Sequence, residues 1–118
     1  MKKIYHLATC DTCKRIINEL QLPSDFEKHE IKQKEITVKE WEQLRELAGS
    51  YEALFSKRAK LYKERGLKDE NLSEDDFKRF LLEHYTFLKR PVIVNETQIF
   101  IGNSKKTVEA AKISIHHE

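Results

Sequence analysis

Apolar residues recur along this 118-residue chain first with the period of a strand, then of helices, then of strands again. Lys2 to Leu7 alternates weakly around Ile4, Tyr5 and Leu7, which predicts a short strand. Cys13, Ile16, Ile17 and Leu20 then fall at i, i+3, i+4 and i+7, the stripe of an amphipathic helix. Thr9 or Asp11 is placed to cap its start, and Pro23-Ser24 marks its end. Phe26 to Ile31 predicts a second strand. A strand-helix-strand unit this short implies a parallel pair with a right-handed crossover.

The middle of the chain keeps a helical period. Thr37-Val38-Lys39-Glu40 has the spacing of a capping box, and Val38, Trp41, Leu44 and Leu47 hold helical spacing up to Gly49. A second helical stretch is predicted over about 51–65, stopping at Gly66. Ser73-Glu74-Asp75-Asp76 opens a third helix with an acidic first turn, as the helix dipole favours. Phe77, Phe80, Leu81 and His84 would line its inner face. Strand character returns in Arg90-Pro91-Val92-Ile93-Val94 and in Gln98-Ile99-Phe100-Ile101, with Asn95-Glu96 as the turn between them. After Gly102-Asn103-Ser104, residues Thr107, Val108, Ala110 and Ala111 predict a last helix.

The order β-α-β, helical block, β-β-α predicts an α/β fold with a mixed four-stranded sheet. The expectation is one domain over 1–118, with a core of about 1–35 and 87–118 and a helical insertion of about 36–86.

Composition narrows the function classes. Basic residues number 22 and acidic residues 20, so no broad basic field argues for nucleic acid or a membrane surface. Ile4-Tyr5-His6-Leu7 is too short for a signal core, and no apolar run approaches the roughly 20 residues of a span. A cytoplasmic protein is expected. Two cysteines in such a setting point to catalysis, redox sensing or metal rather than to a staple.

The chemistry centres on Cys10-Asp11-Thr12-Cys13. A free thiol ionises near pH 8.5 and reacts as the thiolate. Cys10 stands where the first strand hands over to the first helix, and there unpaired amides and the positive dipole end favour an anion. Lys14 and Arg15 add positive charge. Cys13 lies one turn in, on the inner face. Cys10 is therefore the expected nucleophile and Cys13 the resolving thiol. Half a zinc site is the competing reading, with His6 as a third ligand, but His29, His84, His116 and His117 lack ligand spacing. No metal is expected. Pro91, read alone, is an ordinary proline at a strand start.

Several other residues have a bland reading beside a sharp one. Lys57, Arg58, Lys60, Lys63 and Arg65 form either a solvated basic face or an anion or partner surface facing Cys10. Trp41 reads as core and His6 as a packing or capping residue. His116 and His117 read as a frayed tail, native or left from cloning.

Ile4-Tyr5-His6 ahead of Cys10, the Cys10-to-Arg15 stretch, Lys57-Arg58 before Leu61-Tyr62, and Leu88-Lys89-Arg90-Pro91 ahead of a hairpin together resemble the glutaredoxin-type arsenate reductase family. That family includes the Spx-type redox-responsive transcription regulators. The resemblance covers nearly the whole chain. It implies a thioredoxin-like fold with a helical insertion and a cis bond before Pro91, beside the cysteines. It implies that Cys10 attacks a small oxyanion or thiol substrate. Glutathione, with glutaredoxin or thioredoxin as donor, would then restore the thiol, with no bound cofactor. Arginines hold the oxyanion in this family, because a guanidinium matches its oxygens. Arg90 matches one of them by its place before the proline. Arg58 matches a second, shifted by two positions, and Lys14 stands where a cysteine-loop arginine is found. Gly102-Asn103 replaces an arginine after the hairpin. The second cysteine and Lys57-Arg58-Ala59-Lys60 resemble the Spx branch instead. That branch implies a Cys10/Cys13 disulfide switch and contact with RNA polymerase rather than direct DNA binding.

Overall fold

The computed structural model describes residues 1–117. Four strands form one sheet: β1 (Lys2–His6), β2 (Glu27–Glu30), β3 (Val92–Asn95) and β4 (Gln98–Ile101), in the order β2-β1-β3-β4. β1 runs parallel to β2, with Tyr5 opposite His29, and antiparallel to β3, with Ile4 opposite Ile93. β3 and β4 pair antiparallel. The sheet is thus mixed, as the order of periods requires.

The chain divides into two compact units, one of residues 1–37 and 90–118 and one of residues 38–89. In the first, the sheet carries α1 (Asp11–Leu20) and α5 (Lys105–His116). Ile4 and Ile93 from the central strands, Ile16 and Leu20 from α1, and Val108 and Ala111 from α5 meet with Phe26 in one apolar cluster. Tyr5, Val92 and Val94 are also buried, so β1 and β3 bury side chains on both faces while the outer strand β2 exposes Glu27 and Lys28. Burying such side chains is the main driving force for closing this unit, at about 1.5–3 kcal/mol each.

The second unit contains α2 (Val38–Ala48), α3 (Lys60–Glu64) and α4 (Glu74–Glu83). Its centre is aromatic: the Phe55 ring lies 5.2 Å from Phe87 in a stacked pair and 4.9 Å from Phe77. Trp41 is buried, as its pattern suggested.

Four local expectations are corrected. The stretch 51–65 is not one helix. A 3-10 turn over Glu52–Leu54 ends in extended backbone at Phe55, which bridges to Leu88, and only α3 follows. The Ser56 amide donates to Phe87 O at 2.7 Å and the Lys89 amide to Leu54 O at 2.9 Å, so pairing with a distant segment overrides local helical spacing. The hairpin link is Glu96-Thr97, since Asn95 pairs with Gln98; Glu96 takes a left-handed φ of 57°. His84 lies past the end of α4, where its Nδ1 accepts from the Thr86 amide at 3.0 Å. His116 is the last residue of α5 and is not frayed, because its Nε2 bonds Leu20 O at the end of α1, 2.6 Å away.

Candidate functional site

The site is built where β1 ends. Leu7, Ala8, Thr9 and Cys10 form a turn closed by the Cys10 amide donating to Leu7 O at 3.0 Å. Cys10 occupies the N-cap position of α1 with extended backbone, so neither Thr9 nor Asp11 caps that helix. The reason is the register of the turn, which ends on the cysteine. The Cys10 side chain forms no capping hydrogen bond of regular geometry, yet the amides of Cys13 and Thr12 still attract its sulfur electrostatically.

Both thiols are free, with Cys10 half-buried and Cys13 fully buried. Their acidities are driven apart. Burial works to raise the Cys10 pKa, but the Cys13 amide, the Cys13 thiol, the Arg90 guanidinium and the Thr12 amide outweigh it, and the thiol falls below its ordinary value. For Cys13 burial dominates. A backbone hydrogen bond from Leu7 opposes it, the Cys10 thiol adds to it, and the pKa is pushed up to about 11. Near neutrality the Cys10 sulfur therefore carries more thiolate character than the Cys13 sulfur.

Arg90 and Pro91 open β3, joined by a cis peptide bond, and the Gly102 amide at the end of β4 donates to Pro91 O at 2.9 Å. Gly102 has a φ of 96°, which glycine adopts without the penalty of a Cβ. Because β3 is next to β1, the start of one strand lies by the end of the other. This brings the Arg90 guanidinium close enough to act on both Cys10 and Cys13, with Pro91 next to it at the start of β3. Lys14 sits in the first turn of α1 with its side chain in solvent. Arg58 is exposed in the turn ahead of α3, in the second unit. In the basic stretch around it, Lys57 pairs with Glu52 at 2.9 Å and Arg65 with Glu83 at 2.7 Å, so part of that charge is neutralised locally.

His6 is half-buried, and burial lowers its pKa against the pull of Glu30. Among the described residues no three of His, Cys, Asp or Glu converge as a metal site, and no helix is long and apolar enough to cross a membrane. Two parts of the site escape sequence reading: the Leu7 backbone that contacts Cys13, and Glu30, whose carboxylate binds the amide of Ala8 in the cysteine turn at 2.6 Å. Strand pairing makes the second link, and no residue spacing announces it.

A parallel β-α-β followed by an antiparallel hairpin, with two cysteines at the head of the first helix and a cis-proline opening the third strand, defines a thioredoxin-like dithiol protein. The family model of ArsC matches residues 5–111, and the chain belongs to the ArsC family. The fold is similar to that of an arsenate reductase from Vibrio cholerae, with a TM-score of 0.76 and 23% identity over 93% of this chain and 96% of that one. A solution structure of a Staphylococcus aureus COL protein is similar at a TM-score of 0.72 and 26% identity, over 93% and 97% of the two chains. In sequence, the chain is 28% identical over 107 residues to the global transcriptional regulator Spx 2 of Bacillus anthracis, covering 86% of this chain and 79% of that protein.

Proposed function

We propose that this protein is a cytoplasmic thiol-dependent oxidoreductase of the arsenate reductase kind, with Cys10 as nucleophile and Cys13 as resolving thiol. The observation that supports it most is the opposed displacement of two neighbouring thiols, Cys10 downward and Cys13 up to about 11. With a disulfide substrate, the Cys10 thiolate attacks one sulfur and expels the other as a thiolate. Cys13 then gives up its proton and attacks the Cys10 sulfur of the mixed disulfide. The second substrate thiolate leaves, and a Cys10–Cys13 disulfide remains. The substrate has gained two electrons, and glutathione with glutaredoxin, or thioredoxin, returns the protein to the dithiol. With arsenate, the same thiolate forms an S–As bond while one arsenate oxygen, once protonated, leaves as water. Glutathione then supplies the two electrons that take As(V) to As(III), and Arg90 and Lys14 hold the remaining oxygens.

The test is turnover of arsenate with glutathione and glutaredoxin, followed by arsenite formation. Activity that disappears in Cys10→Ser supports the enzyme. The likeness to Spx 2 favours a second reading, in which the same pair is a redox switch on a regulator that binds RNA polymerase. Absence of turnover together with capture of RNA polymerase, altered by oxidation of the pair, would replace the first reading with the second.

A further inference from the structure

Glu30, the last residue of β2, joins two loops. Its Oε2 accepts from the Ala8 amide at 2.6 Å, while its Oε1 accepts from the Lys32 amide at 2.6 Å and the Gln33 amide at 2.9 Å. Ala8 is the second residue of the turn whose fourth residue is Cys10 and whose first, Leu7, also contacts Cys13. The parallel pairing of β1 with β2 sets His6 opposite Glu30, so the carboxylate starts beside the strand end that leads into the turn. On the far side, the Lys34 amide donates to Glu30 O at 3.0 Å and fixes the loop that supplies the other two amides. A carboxylate accepting several amides is a strong clamp, because each bond is assisted by its charge.

We propose that Glu30 is a positioning residue for Cys10, gripping the Ala8 amide so that the Leu7–Cys10 turn holds both sulfurs against the start of α1. The proposal rests on the dithiol reading above. It adds a residue that touches neither sulfur and sets their reactivity through the backbone. Glu30 stays ionised throughout the neutral range. Burial works to raise its pKa, and the amides of Ala8, Gln33 and Lys32, with the charge of His6, outweigh it. Across the pH range in which thiols titrate, the clamp is therefore constant and is released only in acid. The groups acting on Cys10 itself are Cys13, Arg90 and the Thr12 amide, so moving the turn changes its distance to all of them together.

The experiment measures iodoacetamide labelling of Cys10 against pH, read by site-resolved mass spectrometry, in the unaltered protein and in Glu30→Gln, Ala8→Pro and the double variant. Gln keeps one acceptor oxygen but no negative charge and puts an NH2 donor in place of the other oxygen, so the charge-assisted grip on the three amides is weakened whichever way the group turns. Proline suits the second position of a turn but has no amide hydrogen to give. Each single variant is expected to raise the Cys10 midpoint and to slow labelling at pH 7 about threefold to tenfold, since one pKa unit is a tenfold change in thiolate. In the Ala8→Pro background, Glu30→Gln is expected to add nothing to that shift, although it costs further thermal stability through Lys32 and Gln33. Midpoints equal to the unaltered protein's, alongside a lowered melting temperature, would make Glu30 merely structural and overturn the proposal. Should Glu30→Gln fail to fold, Ala8→Pro alone decides by the same comparison. If Cys10 of the unaltered protein titrates like an ordinary thiol, the dithiol reading falls and the positioning role falls with it. A low midpoint that neither variant changes removes the positioning role alone.

Discussion

Two sulfurs one helical turn apart differ because burial dominates at fully buried Cys13, while amides, the neighbouring thiol and a guanidinium outweigh it at half-buried Cys10. Arg90 lowers both thiols. Arg90→Met is therefore expected to raise both labelling midpoints, and by more at half-buried Cys10 than at Cys13, where burial dominates. Site-resolved alkylation across pH reads this directly, and an unchanged Cys10 midpoint would contradict it. Cys10 and Cys13 were legible in the sequence because C-x-x-C at a strand-to-helix junction carries its own chemistry. Arg90 and Pro91 were legible only through the family resemblance, since a proline opening a strand is otherwise unremarkable. Glu30 was not legible at all. It bonds an amide 22 residues away, and any acceptor side chain at the end of β2 would look the same in sequence.

Helix ends and strand pairing decide the elements. The Ser73 hydroxyl accepts from the Asp76 amide at 3.3 Å, and the Asp76 carboxylate accepts from the Ser73 amide at 2.9 Å, a closed capping box on α4. Ser73→Ala is expected to cost about 1 kcal/mol in urea unfolding, with the melting temperature falling accordingly. In sequence that helix start was visible as an acidic first turn, but the box was not, because its partner at the third position is Asp76 where Glu or Gln is the usual signature. The break at Phe55 was hidden, because it depends on Leu88, which lies 33 positions further along the chain and bridges to it. Similarly, the turn at Glu96-Thr97 follows from the register of β3 with β4, and composition alone could not place it to one residue.

Over the whole molecule, each unit has its own buried centre, one aliphatic around Ile4 and Ile93 and one aromatic around Phe55. Both isoleucines are fully buried on the paired central strands. Ile93→Ala is expected to cost about 2–5 kcal/mol, measured by denaturant midpoint, because the neighbouring strands restrict collapse into the cavity. The pH dependence of stability has a definite sign. Glu30, Asp76 and Glu83 all have pKa values lowered from their ordinary 4.5, 3.8 and 4.5. A lowered acid binds fewer protons folded than unfolded, so its contribution is present above its unfolded pKa and is lost as pH falls through the folded one. The melting temperature is thus expected to hold near neutrality and to decline below about pH 4.5. A melting temperature that rose on acidification would contradict this.

The central physical claim is that the fold separates the acidities of its two thiols. Alkylation of the unaltered protein across pH, resolved to each cysteine, tests it most directly. The expected result is a Cys10 midpoint below that of an ordinary thiol and a Cys13 midpoint near 11. A single shared midpoint at or above the ordinary thiol value would contradict it.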